Sequence, residues 1–314
     1  MPNTNDSSAR APMPWKKLGR IYDAPALHPK LVSHAANPLP VHLEDDVFRI
    51  YFSGRDTENR SSVGFVDIDI CKQSVLQTSD EPVFTHGPDG SFYSHGVSIG
   101  NCYEVAGQRY MLFMGWRMPA EGHWYGEIGR LRVAPDYSLE LDRATPLMPL
   151  DSQDSISLSY PWVQRESGLY HMWYGSTLTW QTPTGGMLHT LNYATSHDGS
   201  HWTRNGVSVP YEIGVAQAFS RPTVLGNRRD GYEMWFSYRD DIGMKYRIGY
   251  ATSQSGEKWQ LALDAAGITV SPTGWDHEMI EYPYVFQHKG QTYMLYCGNG
   301  YGKSGFGLAI RDDS

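Results

Sequence analysis

The stretch "EMIEYP" at 278–283 brings two carboxyl groups, Glu278 and Glu281, together with Tyr282 ahead of a proline. Carboxyl groups in a shielded setting do acid–base work, one donating a proton to a leaving oxygen while another group activates the attacking species. Asp56 and Asp240 are further acids beside arginines, where an ion pair or a turn cap serves them equally well. The basic set is Arg55, Arg221 and Arg239, with His34 and His95 as protonatable partners. Arginine presents a planar fork that takes a carboxylate or phosphate through two hydrogen bonds, so this set points to an anion. In a regular strand residues three apart face opposite sides, and Glu278 and Glu281 share a site only if their segment is irregular.

Composition indicates which elements must position these groups. The chain has 314 residues with 13% aromatic residues, 32 glycines and 19 prolines, a profile of many short strands joined by turns. The net charge is −8 and no Lys/Arg run is present, which excludes a nucleic-acid footprint. No apolar run reaches the ~20 residues of a membrane span, and the polar "MPNTNDSSARAPMPW" start lacks the apolar core of a secretory signal. Three cysteines without metal-ligand spacing argue against a disulfide framework or a zinc site. A cytoplasmic protein with no cofactor and no metal is expected, with residues 1–14 a disordered lead-in and 15–314 a single domain.

The segments "RIYFSG", "YMLFMG", "YHMWYG", "YEMWFS" and "YMLYCG" begin at residues 49, 110, 170, 232 and 293. That near-constant spacing marks five repeats. Each reads as four strands. The first carries "NPLPV" (37–41), "YPWV" (160–163), "RPTV" (221–224) or "YPYV" (282–285), with "HGVSI" (95–99) as the variant. The aromatic strand follows, then a third such as "VGFVDI" or "IGYATS", and in two repeats a Gly turn and Trp open an outer fourth. The fold expected is all-β: a five-bladed β-propeller of four-stranded antiparallel blades. The fifth repeat lacks its outer strand, and "WKKLGRIY" (15–22) supplies one, so the N-terminal strand closes the ring by pairing into the last blade.

In such a ring the first-strand entrances converge on one channel mouth, and the loops leaving the second strands meet it. The repeat alignment therefore assigns Glu281, Glu278 and His95 as catalytic residues. It assigns His34, Asn37, Arg55, Asp56, Trp116, Ser159, Tyr160, Arg221, Tyr238, Arg239, Tyr282 and Asn299 as substrate-binding residues. Glu281 holds the position that Ser159 and Ser220 hold in other repeats, just before the "xP" pair. "GNGYGKSGFG" (298–307) lacks the spacing of a phosphate-binding P-loop and reads as a hairpin loop at the mouth.

With "RIGYATSQSG" and "LNYATSHDGSHW" in place, the chain resembles the five-bladed propeller glycosidases: the arabinanase, xylosidase and invertase superfamily and its mannoside-phosphorylase relatives. "WKKLGRIYD", "WDHEMIEYPYVF" and "YMLYCGNGYGKSGFGLA" resemble, more narrowly, cytoplasmic glycosidase-like proteins of bacterial surface-polysaccharide gene clusters. The resemblance implies carbohydrate chemistry at the mouth: hydrolysis, phosphorolysis or transfer at a glycosidic linkage. The expected partner is a sugar, sugar phosphate or nucleotide sugar, without nucleic acid or membrane. Inverting members carry acids on the first three entrances, set roughly 6.5 to 9.5 Å apart for hydrolysis. Here those entrances read "SHAANP", "FYSHGV" and "SLSYP", without an acid. A non-catalytic carbohydrate-binding propeller, or a glycosidase-like fold recruited to other acid–base chemistry, are the alternatives.

Overall fold

The structure is a computed structural model that describes residues 14–240, 243 and 245–311. Apart from Pro14, the expected lead-in lies outside the described residues. Twenty β-strands and one 3₁₀ turn, Leu263–Ala266, make up the regular structure of the described residues, so the chain is all-β. Among those residues no helix is long and apolar enough to cross a membrane.

The strands pair in runs of four neighbours. The first run is β2 (Ser33–Glu44), β3 (Val47–Arg55), β4 (Ser61–Asp69) and β5 (Ser74–Thr78); the second is β6 (Gly96–Val105), β7 (Gln108–Arg117), β8 (Tyr125–Val133) and β9 (Leu139–Leu141). The third is β10 (Leu158–Glu166), β11 (Leu169–Thr179), β12 (Leu188–Ser196) and β13 (Thr203–Val207); the fourth is β14 (Ala218–Asn227), β15 (Gly231–Arg239), β16 (Arg247–Ser253) and β17 (Gln260–Leu261). In the last group β18 (Glu281–His288), β19 (Gln291–Cys297) and β20 (Phe306–Arg311) are joined by β1 (Trp15–Tyr22), which lies antiparallel to β20 from Trp15↔Arg311 to Tyr22↔Phe306. Single parallel bridges, Ser61↔Gly96 and His189↔Ala218, link two pairs of groups.

The repeated aromatic segments are the second strands β3, β7, β11, β15 and β19. They bury Tyr51, Phe113, Trp173, Trp235 and Tyr296, of which Trp173 packs against Tyr232 and Trp259 of the next group and Trp235 against Trp15 of the last. β1 is anchored by Trp15 edge-on to Trp235 at 5.6 Å, by Tyr22 against Phe52 and Phe306, each at 5.4 Å, and by Lys17 on Asp276 at 2.6 Å.

The first strands neighbour one another in sequence: β2 with β6, β6 with β10, β10 with β14, β14 with β18, and β18 with β2. Each is broken by a bulge at one equivalent place: after Ala36, Ile99, Ser159, Ser220 and Glu281. In four of them the bulge is an xP pair, and its first residue has positive φ: Asn37 at 56°, Tyr160 at 37°, Arg221 at 47° and Tyr282 at 54°. Left-handed backbone is costly for such side chains and persists only where its surroundings enforce it. Proline lacks the N–H that the ladder would need, so it sits in the bulge without loss. The bulges bring Tyr160 and Tyr282 together, ring centres 5.4 Å apart, and carry Arg221 to carbonyls of two other first strands.

The second group departs from the sequence alignment. Its bulge falls at Gly100 and Asn101, not at His95, which lies five residues upstream of Gly100, in the loop before β6. A Cβ on Gly100 would meet the Pro161 carbonyl at 2.3 Å, so only glycine lets the neighbouring first strand approach here. The strand "GVSIGN" contains no proline to mark the bulge, and "HG" was the nearest imitation of the pair.

Candidate functional site

A cavity of about 610 Å³ opens where the first strands converge. The bulge positions contribute Asn37, Tyr160 and Tyr282, and the residues just before them Ala36, Ser159 and Ser220. Second-strand ends contribute Arg55, Trp116 and Arg239. The entrances of the third strands, which sequence reasoning did not use, contribute Ser61, Trp124, His189, Tyr246 and Tyr301. A third strand begins at the end of its group where the second finishes, so the same repeat alignment holds this signal. Among the described residues no aspartate or glutamate lines the cavity, whereas two arginines and two histidines, His123 and His189, do.

Several polar atoms here have no partner. Asn37 Oδ1, Ser220 Oγ and Arg239 Nε are buried without a hydrogen bond, and the Arg55 side chain is part of the same lining. The Arg239 guanidinium lies 5.5 Å from the centre of the Tyr246 ring. Buried polar groups are nearly always satisfied, so a cluster of exceptions at one cavity makes this wall a candidate ligand surface.

Glu281 begins β18 immediately behind this wall. It is wholly buried, and neither carboxyl oxygen has a hydrogen-bond partner. Burial pushes its pKa well above the usual carboxylate range, opposed only in part by the positive charge of Arg55. The carboxyl in turn raises the phenols of Tyr282 and Tyr160, adding to the larger effect of their own burial, and those hydroxyls are 3.3 Å apart. An unpaired buried carboxylate is expensive, so the neutral acid is the favoured form.

Ser159 and His189 form a second polar unit: Ser159 Oγ lies 2.7 Å from His189 Nε2, and Thr177 Oγ1 lies 2.7 Å from Nδ1. Burial lowers the His189 pKa to about 4, so the imidazole is neutral at physiological pH. A Cβ on Gly175 would meet Ser159 Oγ at 2.2 Å and His189 Nε2 at 2.5 Å, which ties the glycine of "YHMWYG" to this pair.

Other expected site residues lie elsewhere. Glu278 is in the loop before β18 with its side chain 50% exposed, 3.9 Å from His277 and 4.0 Å from Lys245, and it does not line the cavity. The irregular loop separates the two glutamates instead of bringing them together. Asn299 braces that loop: its Oδ1 accepts from the N–H groups of Glu278 and Met279, and its Nδ2 donates to the Gly274 carbonyl. Asp56 caps its turn, accepting from the Arg60 side chain at 2.8 Å and from the N–H groups of Glu58 and Arg60. Burial raises its pKa, but those bonds outweigh it and leave the carboxyl below its usual value.

Arg221 is 2% exposed and donates to the carbonyls of Ile99 at 2.9 Å and Pro38 at 2.8 Å, so it clamps the first strands of two other groups beneath the cavity. Burial lowers its pKa to about 10. His95 packs at 5.9 Å from Trp116 and exchanges backbone bonds with Ser61 and Trp116; it supports the wall from outside. His34 is hydrogen-bonded to Ser33 Oγ at 2.8 Å, and its pKa falls to about 4 through burial, then the charges of Arg55 and Lys303. Tyr238 packs against Phe236, away from the cavity lining.

No family model matches the chain. Two Mycobacterium tuberculosis proteins, both named as uncharacterised, are 42% identical over 305 residues, covering 96% of this chain and 100% of theirs: MT1551 of strain CDC 1551 / Oshkosh and Rv1502 of strain H37Rv. Among solved structures, one named glycoside hydrolase matches with a TM-score of 0.71 at 15% identity, over 96% of this chain and 92% of its own. A structure from the GH130 family of mannoside phosphorylases, titled for glycoside hydrolases that target β-1,2 mannosidic linkages in Candida mannan, matches at 0.67 and 12%, over 98% and 95%. Sucrose-6-phosphate hydrolase from Lactobacillus gasseri matches at 0.61 and 11%, over 91% and 61%. At these identities the likeness shows a shared glycosidase-type fold.

Proposed function

The chain belongs to one family with the Mycobacterium tuberculosis proteins MT1551 and Rv1502, and for it we propose a carbohydrate-active enzyme that breaks or transfers a glycosidic linkage with an anion bound at Arg55 and Arg239. The proposed architecture is a single five-bladed propeller closed by β1, with the cavity as its channel mouth; the ring order of the first strands and the β1–β20 pairing support it. Three unpaired cysteines fit a reducing, cytoplasmic setting.

The observation that carries this reading is the buried, unpartnered carboxyl of Glu281 beside a cavity wall whose described residues include Arg55 and Arg239 and no acid. A neutral carboxylic acid donates its proton to a leaving glycosidic oxygen; Glu281 does not line the cavity itself, so this role requires the ligand to reach past its neighbour Tyr282, which does. Inverting hydrolysis requires a second carboxylate to activate water, and the described residues of the cavity wall include none. Phosphate or a sugar phosphate is itself a nucleophile and needs no such base. Phosphorolysis, or transfer to a phosphorylated acceptor, therefore agrees best with the residues present.

The test is to incubate the protein with a panel of glycosides, with and without inorganic phosphate, and to identify products by mass. Sugar phosphate formed only when phosphate is present is the expected result, and free sugar formed at equal rates in both would refute phosphorolysis. Arg55→Ala and Arg239→Ala should each weaken phosphate binding by roughly ten- to a hundredfold, the value of a charge-assisted contact. The lack of an acid among the described lining residues favours a second reading, a non-catalytic carbohydrate-binding protein. Saturable sugar binding without turnover on any member of the panel would support it.

A further inference from the structure

Eight large apolar side chains are exposed among the described residues. Val75 and Leu76 lie on the outer strand β5. The other six gather at the cavity end of the molecule. Met118 and Tyr301 line the cavity themselves, and Leu178 lies two residues from Trp180, which also lines it. Tyr211, Ile213 and Val215 sit on the loop closed by the Glu212↔Ala216 bridge. That loop is fixed to the cavity rim, because Gln217 donates to the carbonyls of Gly185 and Met187 at 3.1 and 3.3 Å while accepting from the Gly214 N–H at 2.7 Å. Single exposed apolar residues need no explanation, but a collar around one opening does.

The cavity wall itself is both aromatic and cationic. His123 stacks on Trp180 at 4.7 Å and Trp124 meets Trp180 edge-on at 5.0 Å. Arg55 and Arg239 follow in the same cavity, in a protein with a net charge of −8. A compact anionic sugar would use the arginines and leave the collar bare. A molecule that is apolar at one end and anionic within a short reach satisfies both.

We propose that the phosphorylated acceptor is a lipid phosphate, an alkyl or prenyl chain ending in a phosphate, whose chain lies along Leu178, Ile213 and Val215 while its phosphate meets Arg55 and Arg239. This rests on the anionic-substrate reading above, deepens it, and can fail separately from it.

The experiment is titration calorimetry with inorganic phosphate, butyl phosphate, octyl phosphate and dodecyl phosphate, each below its micelle concentration. Affinity should rise along the series by roughly three- to fourfold for each methylene that becomes fully buried. The triple variant Leu178→Ser, Ile213→Ser, Val215→Ser should flatten this rise, weakening dodecyl phosphate at least tenfold and leaving inorganic phosphate unchanged. These side chains are 39%, 40% and 48% exposed, so polar replacements there leave the fold intact. Affinity independent of chain length, or a rise that survives unchanged in the triple variant, overturns the proposal. Phosphate binding with a flat series keeps the anion site and removes the lipid. A chain-dependent rise without phosphate binding does the reverse. Partition onto phosphatidylglycerol vesicles together with a flat series would make the collar a membrane-docking surface and overturn the assignment of a lipid substrate.

Discussion

Removing β1 should test ring closure most severely, because that strand is far from its partners in sequence and holds the last group together. Trp15, Ile21 and Tyr22 are each at least 91% buried, and Trp15 packs against Trp235 in the adjacent fourth group. Truncating a buried Trp or Phe-sized ring costs about 3–5 kcal/mol and a buried Ile about 2–5 kcal/mol. The three side chains together thus approach about 10 kcal/mol, within the 5–15 kcal/mol that typically separates folded from unfolded chains. Deleting residues 1–22 also leaves β20 as an unpaired edge. The deletion should yield aggregated or unfolded protein, whereas deleting 1–12 leaves β1 intact and should not alter melting. Trp15→Ala gives the graded version. With an unfolding entropy of about 2.1 cal/mol/K per residue, a chain of 314 residues shifts by about 1.5 °C per kcal/mol, so Tm should fall by about 5–8 °C in calorimetry. If the 1–22 deletion melts at the wild-type temperature, β1 does not close the ring and the argument from its burial is wrong.

Other outcomes follow from single buried groups. His189 has its pKa depressed from 6.5 to about 4, so between those values the unfolded chain binds a proton that the folded chain refuses. Stability should therefore fall as pH drops through that window, at about 1.4 kcal/mol per pH unit for this group, and denaturant titrations of His189→Gln should lack that share. Glu281 has the opposite sign: above the ordinary 4.5 the unfolded chain loses a proton that the folded chain keeps, so stability is lost as pH rises. Glu281→Gln should be more stable than wild type near pH 8 and equal to it near pH 4; equal pH profiles would show that the carboxyl is not held neutral. Arg221→Met should destabilise the fold by about 1–3 kcal/mol for each channel carbonyl left without its donor, with no selective loss for anionic over neutral ligands. A selective loss would place Arg221 at the ligand.

The strand repeats were readable because the second strands repeat a burial problem: each must place aromatic side chains between neighbouring groups, and "YHMWYG" or "YEMWFS" is the solution in residues. The xP bulges were readable through proline. Where glycine replaced the pair, at Gly100, the alignment slid to His95. The site was half legible for a related reason. Asn37, Ser159, Tyr160 and Tyr282 follow from strand register, and Arg55, Trp116 and Arg239 from strand ends. Glu278, Asn299 and Asp56 do not line the cavity, because their directions depend on loop hydrogen bonds that no periodicity encodes. Arg221 is aimed across the channel at carbonyls of two other groups, a choice set by tertiary distance alone. His189, Trp124 and Tyr246 open third strands, whose entrances carry no proline or glycine to draw attention.

The central claim is that Glu281 supplies the proton for cleavage of a sugar linkage. Its most direct measurement is the turnover of wild type against Glu281→Gln, on a glycoside that the wild type consumes in the presence of phosphate, alongside ligand affinity for both. Glutamine keeps shape and hydrogen-bonding capacity and removes the transferable proton, so turnover should fall roughly 10²- to 10⁴-fold while Kd stays nearly constant. A variant that turns over at the wild-type rate would contradict the assignment and leave Glu281 as a buried strand residue without a part in the chemistry.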